Sequence, residues 1–404
     1  MKRSYVSLIN EHLKNYHQMV FIGGPRQVGK TTLSRMLEVS SPPYYLNWDI
    51  DSDRAQLLGP QRALLDNVLS DRKLEAPAPL IILDELHKYK DWKNYLKGLY
   101  DLSREKVKVV LTGSAQLDIY KKGGDSLMGR YFSYTIHPFS VREVLSFPDD
   151  QGEPSLISSP SPIPSDTFEA LWRFGGFPDP FLKQEDRFYK RWVALRKEQL
   201  CRQDIADVHL IQDMAQFELL VYLLSSYAGN IINPMSLAKH VRVSHTTIRR
   251  WLQILKMFYY CFELKPWSTN IPRSLLKDPK MYLWDWSLVE DKGARFENMV
   301  ASHLKKAVDF WNEAGLGVYG LYFIRTKEKK EVDFLVVANN KPLFLVEAKY
   351  KAQQLSPTLR EFHQKLGTDH AFQVVYDMPY VDRSCFEEKD PIIVPAKTFL
   401  SQLV

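Results

Sequence analysis

Apolar runs of strand length alternate with segments of helical periodicity along the first third of the chain. The strand-like runs are residues 19–22, 44–49, 80–83, 107–112 and 131–136. The helix-like segments are residues 4–16, 52–58, 61–72 and 92–103. Continuous apolar runs are typical of strands buried on both faces of a parallel sheet, and their alternation with helices predicts an α/β fold. We therefore expect a parallel-sheet domain over residues 1–145.

The first strand leads into a loop that contains two glycines, and a helix follows. Residues 24–31 read Gly-Pro-Arg-Gln-Val-Gly-Lys-Thr and fit G-x-x-x-x-G-K-[ST] at every fixed position. Gly24 and Gly29 permit the turns that point backbone N–H groups at a phosphate, and the helix N-terminus favours its negative charge. Lys30 can reach the β- and γ-phosphate oxygens, and the Thr31 hydroxyl can ligate Mg²⁺. The residues expected to bind ATP are Gly24, Pro25, Arg26, Gln27, Val28, Gly29, Lys30, Thr31 and Thr32.

A second motif supports this interpretation. The apolar run 80–83 ends in Asp84 and Glu85, and open α/β sheets bind ligands at the carboxyl ends of their strands. Asp84 there suits a direct or water-mediated contact with Mg²⁺, and Glu85 suits the base that polarises an attacking water. The alternative is a pair of solvated carboxylates after a core strand.

Two further positions are candidates for catalysis. Ser114 follows the strand of residues 107–112 and would sense the γ-phosphate or hold the water; an ordinary turn serine is the alternative. Arg130 precedes the strand of residues 131–136 and would stabilise transition-state charge, in its own site or in a neighbour's. A surface arginine is the alternative there.

These motifs together resemble a known family. The stretches GGPRQVGKTTL, LIILDELHK, VVLTGSAQL and LMGRYFSYTIHPFSVREV are similar to the N-terminal half of prokaryotic AAA+ P-loop ATPases that carry a C-terminal domain of unknown function, DUF4143. The resemblance implies that Lys30 and Thr31 are Walker A residues, that Asp84 and Glu85 are the Walker B pair, and that Ser114 is the sensor. AAA+ relatives often form rings, so a homo-oligomer is consistent with the resemblance, although the sequence itself does not define the oligomeric state.

The middle of the chain has a different composition. Residues 146–166 are rich in proline, serine and aspartate, which predicts a linker or a surface loop. We expect residues 167–277 to form a helical and winged-helix domain. Its first long helix is expected over residues 188–214.

Two short helices joined by a tight turn are predicted within residues 233–255. Ser236 and Ser244 are placed as their N-caps. The second helix has the apolar stripe Ile248, Leu252 and Leu255, and outside it are His245, Thr246, Arg249, Arg250 and Gln253. This pattern fits a helix-turn-helix with residues 259–267 as the wing strand, and predicts contact with DNA. Packing or protein docking is the alternative role.

Residues 278–404 are expected to form an α/β nuclease-like domain. Glu297 lies on the inner face of a predicted helix, while Asp333, Glu347 and Lys349 lie on two consecutive predicted strands. This is the constellation of a PD-(D/E)xK nuclease. Asp333 and Glu347 would hold a second Mg²⁺ or Mn²⁺, Lys349 would orient a water, and Glu297 would tune the metal. In the resembling family, the DUF4143 region has this make-up of a winged-helix part and a nuclease-like part.

Three alternatives remain open for that domain. Asp333 and Lys349 can form a structural salt bridge, and Glu347 can be a solvated strand residue. The domain can also keep the fold as a nucleic-acid grip without turnover.

Composition adds limits on location and partners. The chain has 404 residues, a net charge of +6 and three cysteines without a CxxC pair, so a cysteine zinc site and a disulfide framework are not indicated. It has neither a secretory h-region nor a run of about 18 apolar residues, which predicts a cytoplasmic protein with no membrane partner.

Three functions are consistent with the sequence. The first is an Mg²⁺-dependent ATPase whose nucleotide state, ATP or ADP, is coupled to the C-terminal domains and to DNA. The second is a DNA nuclease gated by ATP. The third is a nucleotide-switched regulator that binds DNA or protein without cleavage.

Overall fold

The computed structural model describes residues 3–37, 43–70, 78–103, 106–113, 127–145, 154–205, 211, 213–268 and 278–404. The chain divides into two compact units, one ending at His137 and the other comprising Pro138–Val404. No helix within the described ranges is both long and apolar enough to cross a membrane.

The first unit is built on a five-stranded sheet in which every strand pair is parallel, as predicted. Its strands are β1 (Met19–Gly23), β2 (Tyr44–Asn47), β3 (Leu80–Asp84), β4 (Lys108–Thr112) and β5 (Tyr131–Thr135). Its helices are α1 (Ser4–Asn15), α2 (Lys30–Arg35), α3 (Asp51–Leu58), α4 (Gln61–Ser70) and α5 (Trp92–Ser103), with a 3₁₀ turn at Leu86–Lys88.

Burial explains why these segments take their structures. Every residue of β1 and β3 is buried, because each strand has neighbours on both edges and is covered on both faces. Helix α5 buries Trp92, Leu96 and Leu99, which are spaced to lie on one helical face. These side chains join one apolar core with residues of β1, β3 and β4.

The strand order determines what meets at the carboxyl edge of this sheet. The order is β2-β3-β4-β1-β5, so β4 lies between the strand that precedes the loop and the strand that ends in Asp84. Thr112, the last residue of β4, is in register with Ile22 on one side and with Asp84 on the other. The loop, Thr112 and Asp84 are therefore side by side.

The second unit contains a seven-stranded mixed sheet in the order β12-β11-β10-β9-β8-β6-β7. Its strands are β6 (Cys261–Pro266), β7 (Lys280–Leu283), β8 (Tyr319–Arg325), β9 (Glu331–Ala338), β10 (Lys341–Lys349), β11 (His370–Val375) and β12 (Ile392–Pro395). The helices that precede the predicted helix pair are α6 (Val141–Val144), α7 (Ser165–Phe174), α8 (Pro178–Lys183), α9 (Asp186–Gln199) and α10 (Met214–Leu224). The remaining helices are α11 (Pro234–Val241), α12 (His245–Met257), α13 (Lys292–Glu313), α14 (Pro357–Leu366) and α15 (Ala396–Ser401).

Hydrogen-bonded strands cross the boundary expected between residues 277 and 278. Strand β6 pairs antiparallel with β7 and parallel with β8. The strand expected at residues 259–267 is thus present as β6, and it belongs to the same sheet as β8 to β12. The boundary at 277/278 and the extent of each domain stay predictions.

The predicted pair of helices is present, with one change at its start. Asn233, not Ser236, caps α11, because its side-chain oxygen accepts from the backbone N–H groups of Met235 and Ser236. Pro234 at the first helical position fixes the start there. Ser244 caps α12 as predicted.

The prediction of a single helix over residues 188–214 is wrong. Helix α9 ends at Gln199, a π-helical turn continues over Leu200–Asp204, and α10 begins only at Met214. Asp213 has φ −109° and ψ 71°, a non-helical conformation that interrupts the helix. Residues 206–210 and 212 lie outside the described residues.

A fully buried ion pair stabilises the second unit. Lys306 of α13 contacts the Glu143 carboxylate of α6, and the two side chains are 2% and 1% exposed. Lys306 also donates to the Ser140 hydroxyl at 3.0 Å. The neighbouring residue Lys305 instead pairs with Asp309 near the surface, with 28% of its side chain exposed.

We predict that Lys306→Ala lowers the free energy of unfolding of this unit by about 3–5 kcal/mol, because the buried Glu143 carboxylate loses a buried cationic partner. Lys305→Ala, the control on the same helix, is expected to cost about 1 kcal/mol or less. Urea unfolding followed by tryptophan fluorescence measures both changes, since only Trp48 and Trp92 of the nine tryptophans lie before residue 138. Equal losses for the two variants would contradict the assignment.

Candidate functional site

The loop after β1 has backbone angles that require glycine. Gly24 has φ 143° and Gly29 has φ 98°, both outside the region that other L-residues favour. A Cβ atom on Gly24 would lie 2.4 Å from the carbonyl oxygen of Ile136. Gly24 therefore lets the loop pass close to the chain that follows β5.

Lys30 holds a buried positive charge against this loop. Its Nζ donates to the carbonyl oxygens of Gly24 at 3.0 Å and of Pro25 at 2.9 Å. The residue is 7% exposed. A cation is thus fixed inside the loop that the sequence predicts to bind phosphate.

A residue that sequence reasoning missed supports the loop from its other side. The Arg3 guanidinium, 7% exposed, donates to the carbonyl oxygen of Val28 at 3.3 Å and to that of His137. No motif marks Arg3, because an arginine near an amino terminus is ordinarily solvated.

Asp84 is the centre of a cluster of hydroxyl groups. Thr31 Oγ1 donates to Asp84 Oδ2 at 3.0 Å, and Tyr45 donates to the same oxygen at 2.5 Å. Thr112 donates to Oδ1. Asp84 is 5% exposed, so a buried carboxylate is held by three neutral donors from α2, β2 and β4.

The chemistry of this cluster suits Mg²⁺. Thr31 and Asp84, the two predicted ligands, present hard oxygen atoms in contact with each other, which is the donor type that Mg²⁺ prefers. Burial, and then the neighbouring Asp84, raise the pKa of Tyr45 to about 12, so its hydroxyl stays protonated and donates. The three hydroxyls orient Asp84 and, because they are neutral, leave its negative charge in place.

Glu85 lies next to Asp84 in a left-handed backbone conformation, with φ 57°. Its carboxylate is 3.6 Å from Lys88 Nζ and 3.4 Å from His87 Nε2. Lys88 also contacts Asp49, at 2.6 Å. Burial lowers the pKa of His87 against the smaller opposing effect of Glu85, so the imidazole beside Glu85 is neutral at pH 7.

The remaining predicted site residues do not all lie at the Asp84 cluster. Val28 is buried and Thr32 is exposed on α2, while Arg26 and Gln27 lie in the loop. Arg130 lies at the other end of β1 from the loop, because its carbonyl accepts from Met19 N at the amino end of that strand. Its side chain contacts Asp101 at 3.4 Å. Ser114 lies outside the described residues, and a role for Arg130 in a neighbouring copy's site stays a prediction.

Tyr45 and Thr112 were also missed by sequence reasoning. Thr112 ends a predicted strand at the carboxyl edge, so the strand order would have placed it beside Asp84. Tyr45 lies within a strand, where an aromatic residue ordinarily signals packing rather than a hydrogen bond.

The second predicted site lies in the other unit and is organised around an unpredicted lysine. Lys280 Nζ lies 3.0 Å from Glu297 Oε1, 2.6 Å from Glu331 Oε1 and 3.7 Å from Asp333 Oδ1. Glu297 also accepts from the Tyr282 hydroxyl at 2.7 Å. The sequence signal that could have indicated the role of Lys280 is its position as a lysine at the start of a short apolar strand.

The predicted ligands on β9 and β10 are close together but already bonded. Asp333 Oδ2 accepts from Ala348 N at 2.9 Å, and Glu347 Oε1 is 2.8 Å from Lys349 Nζ. Burial, and then Glu297, raise the pKa of Asp333 to about 7. Lys349 thus pairs with Glu347 rather than with Asp333, and Glu347 is 7% exposed rather than solvated.

A second metal does not fit these residues as they are arranged. The described residues contain no group of three or more histidine, cysteine, aspartate or glutamate side chains placed to hold a metal ion. The carboxylates of Glu297 and Asp333 face the Lys280 ammonium instead.

Comparison with known families divides the chain into three parts. Residues 16–145 match the family AAA_14, described as an AAA domain. Residues 165–292 match DUF8612 and residues 292–384 match DUF4143, each described as a domain of unknown function. The region predicted to form the helix-turn-helix thus lies in the DUF8612 match, and the DUF4143 match does not include it as the resemblance had implied.

The chain is also similar to curated and solved proteins. It is 26% identical over 339 residues to uncharacterized proteins of Mycobacterium bovis and Mycobacterium tuberculosis, with 80% of this chain and 68% of each relative covered. It is 16% identical to the Walker-type ATPase of Pyrococcus abyssi, with 71% of this chain and 94% of that chain covered and a TM-score of 0.42. A likeness at that TM-score carries no functional argument.

We predict that Gly24→Ala destabilises the first unit by about 2–5 kcal/mol, through backbone strain and the clash with the Ile136 carbonyl. Gly129→Ala is the matched control: Gly129 has φ 75°, but a Cβ there meets nothing within 4 Å, so only the strain of about 1 kcal/mol applies. Urea unfolding followed by far-ultraviolet circular dichroism compares the two. A Gly24→Ala variant as stable as Gly129→Ala would show that the close approach does not constrain the loop.

Proposed function

This chain carries an AAA domain of the P-loop ATPase type at its amino end and a DUF4143 domain at its carboxyl end, and from that premise we propose that it binds ATP with Mg²⁺ and hydrolyses it. The observation that carries the proposal is the contact of Thr31 Oγ1 with Asp84 Oδ2 at 3.0 Å, beside the buried Lys30. That contact brings the two nucleotide motifs together at one edge of the sheet.

Each residue has a distinct part in the proposed reaction. Lys30 binds the phosphate oxygens, exchanging its bonds to the loop carbonyls for bonds to ATP. Thr31 and Asp84 would hold Mg²⁺, which would supply charge neutralisation for the phosphates. Glu85 accepts the proton of the attacking water. Tyr45 and Thr112 position Asp84 through their hydroxyl hydrogen bonds.

We predict that Lys30→Ala abolishes ATP binding, because it removes the ammonium that the Gly24 and Pro25 carbonyls hold within the loop and that would bind the phosphate oxygens. Glu85→Gln is expected to bind ATP with Mg²⁺ normally but to turn over about 10²–10⁴-fold more slowly, the usual contribution of a general base. Titration calorimetry measures binding, and phosphate release measures turnover.

The exposed residues Lys14 and Glu11 of α1 provide matched controls. Lys14→Ala and Glu11→Gln make the same chemical changes away from the loop and should leave both binding and turnover intact. Equal turnover by the wild type and by Glu85→Gln would refute the role assigned to Glu85.

A second proposed function is binding to DNA by the outer face of α12. Its apolar stripe is buried against the unit, and its outer residues His245, Thr246, Arg249, Arg250 and Gln253 are all exposed. Lys239, His240 and Arg242 are exposed in the preceding helix and turn. This concentration of positive charge on the second helix of a helix-turn-helix supports contact with phosphates and base edges.

We predict that the double variant Arg249→Ala/Arg250→Ala weakens binding to duplex DNA about tenfold and makes it less dependent on salt, because two phosphate contacts are lost. Fluorescence anisotropy over a series of salt concentrations measures both effects. Arg187→Ala/Arg191→Ala removes the same charge from exposed positions on α9. It should change neither the affinity for DNA nor its dependence on salt. If DNA also raises the ATPase rate, the two activities are coupled; failure of the wild type to bind DNA would eliminate this function.

A further inference from the structure

The centre predicted to hold a nuclease metal already contains a positive charge. Three carboxylates converge on Lys280 Nζ: Glu331 at 2.6 Å, Glu297 at 3.0 Å and Asp333 at 3.7 Å. The lysine side chain is 4% exposed. We propose that the Lys280 ammonium replaces the divalent cation at this centre and keeps it free of metal.

The oxygen atoms left over are too few for a metal. Asp333 Oδ2 accepts from Ala348 N, and Glu347 Oε1 contacts Lys349. Among the described residues, Glu347 Oε2 is a buried oxygen without a hydrogen-bond partner. Asp333 Oδ1 faces the Lys280 ammonium at 3.7 Å, so each Asp333 oxygen is already directed at a donor or a cation. Mg²⁺ bound here would have to take its carboxylate ligands from these partners.

Electrostatic repulsion adds to this shortage. A divalent ion bound to Asp333 would stand close to the ammonium that already contacts the same carboxylate, and a buried setting screens such repulsion weakly. Burial alone would lower the pKa of Lys280, but Glu297, Asp333 and Glu331 outweigh it and raise that pKa above its ordinary value. The lysine therefore stays charged at neutral pH.

The surroundings of the lysine also fix its position. Tyr282, two residues along β7, donates to the same Glu297 oxygen as Lys280 does. Glu331 is bound on its other oxygen by Arg325 at 2.8 Å. Lys280 is thus held by carboxylates that are themselves anchored, and a metal would have to displace the whole arrangement. The centre then lacks the ion that would generate a hydroxide beside Lys349, so it does not cleave DNA.

The test measures Mn²⁺ bound to the full-length protein without nucleotide, by electron paramagnetic resonance. The Glu347→Gln single variant should bind the same amount of Mn²⁺ as the wild type, because the Lys280 centre holds no metal ion. Lys280→Gln should gain about one Mn²⁺ per chain, since its carboxylates become free for a hard cation. The added substitution Glu347→Gln should remove that gain.

Two controls keep the outcome decisive. Lys280→Arg retains the positive charge and should gain no Mn²⁺, and Lys341→Gln removes an equal charge from an exposed position on β10 without any gain. Any Mn²⁺ bound at the nucleotide loop is the same in all variants, so it does not affect the difference in bound Mn²⁺ between a variant and the wild type. A wild type that loses Mn²⁺ on Glu347→Gln overturns the proposal, and so does a folded Lys280→Gln that gains none. If Lys280→Gln does not fold, the wild-type comparison alone decides.

Discussion

A carboxylate removed from water must be balanced by hydrogen bonds or by a cation, and this chain meets that constraint in two contrasting ways. In the first unit, Asp84 receives three neutral hydroxyl donors from the residues that the structure describes, and these leave its negative charge in place. In the second unit, Glu297 and its neighbouring carboxylates receive the ammonium of Lys280. Under the two proposals, the first centre would take a metal together with its nucleotide, whereas the second is closed by a cation of the chain itself.

The same constraint shapes the rest of the second unit. The largely buried Arg196 donates to the fully buried Asp285 at 3.0 Å and lies 3.6 Å from the centre of the Phe177 ring. Lys306 and Glu143 form a comparable buried pair. Each pair joins residues that are far apart in sequence, so a misfolded arrangement would leave an unpaired charge inside. Such pairs make the native arrangement specific even where an apolar pair would be as stable.

The sequence predicted those features whose cause is local. The loop around Lys30 and the strand before Asp84 were found because residue spacing and apolar runs are themselves the physical signal. Partners that come from elsewhere in the chain were not found: Tyr45 and Lys280 acquire their roles only when strand order brings them to a carboxylate. Arg130 was predicted near the site but lies at the amino end of β1. Its motif gives no information on the edge of the sheet at which a residue lies.

The position of β6 has an evolutionary consequence. This strand is bonded to β7 on one side and to β8 on the other, whereas the DUF4143 match begins only at residue 292. A recombination event at that point would leave β8 with an exposed edge, and exposed edges invite aggregation. The two regions are therefore expected to be inherited together, and a homologue that carries DUF4143 without the preceding segment would need another way to protect the β8 edge, such as charged residues or a covering loop.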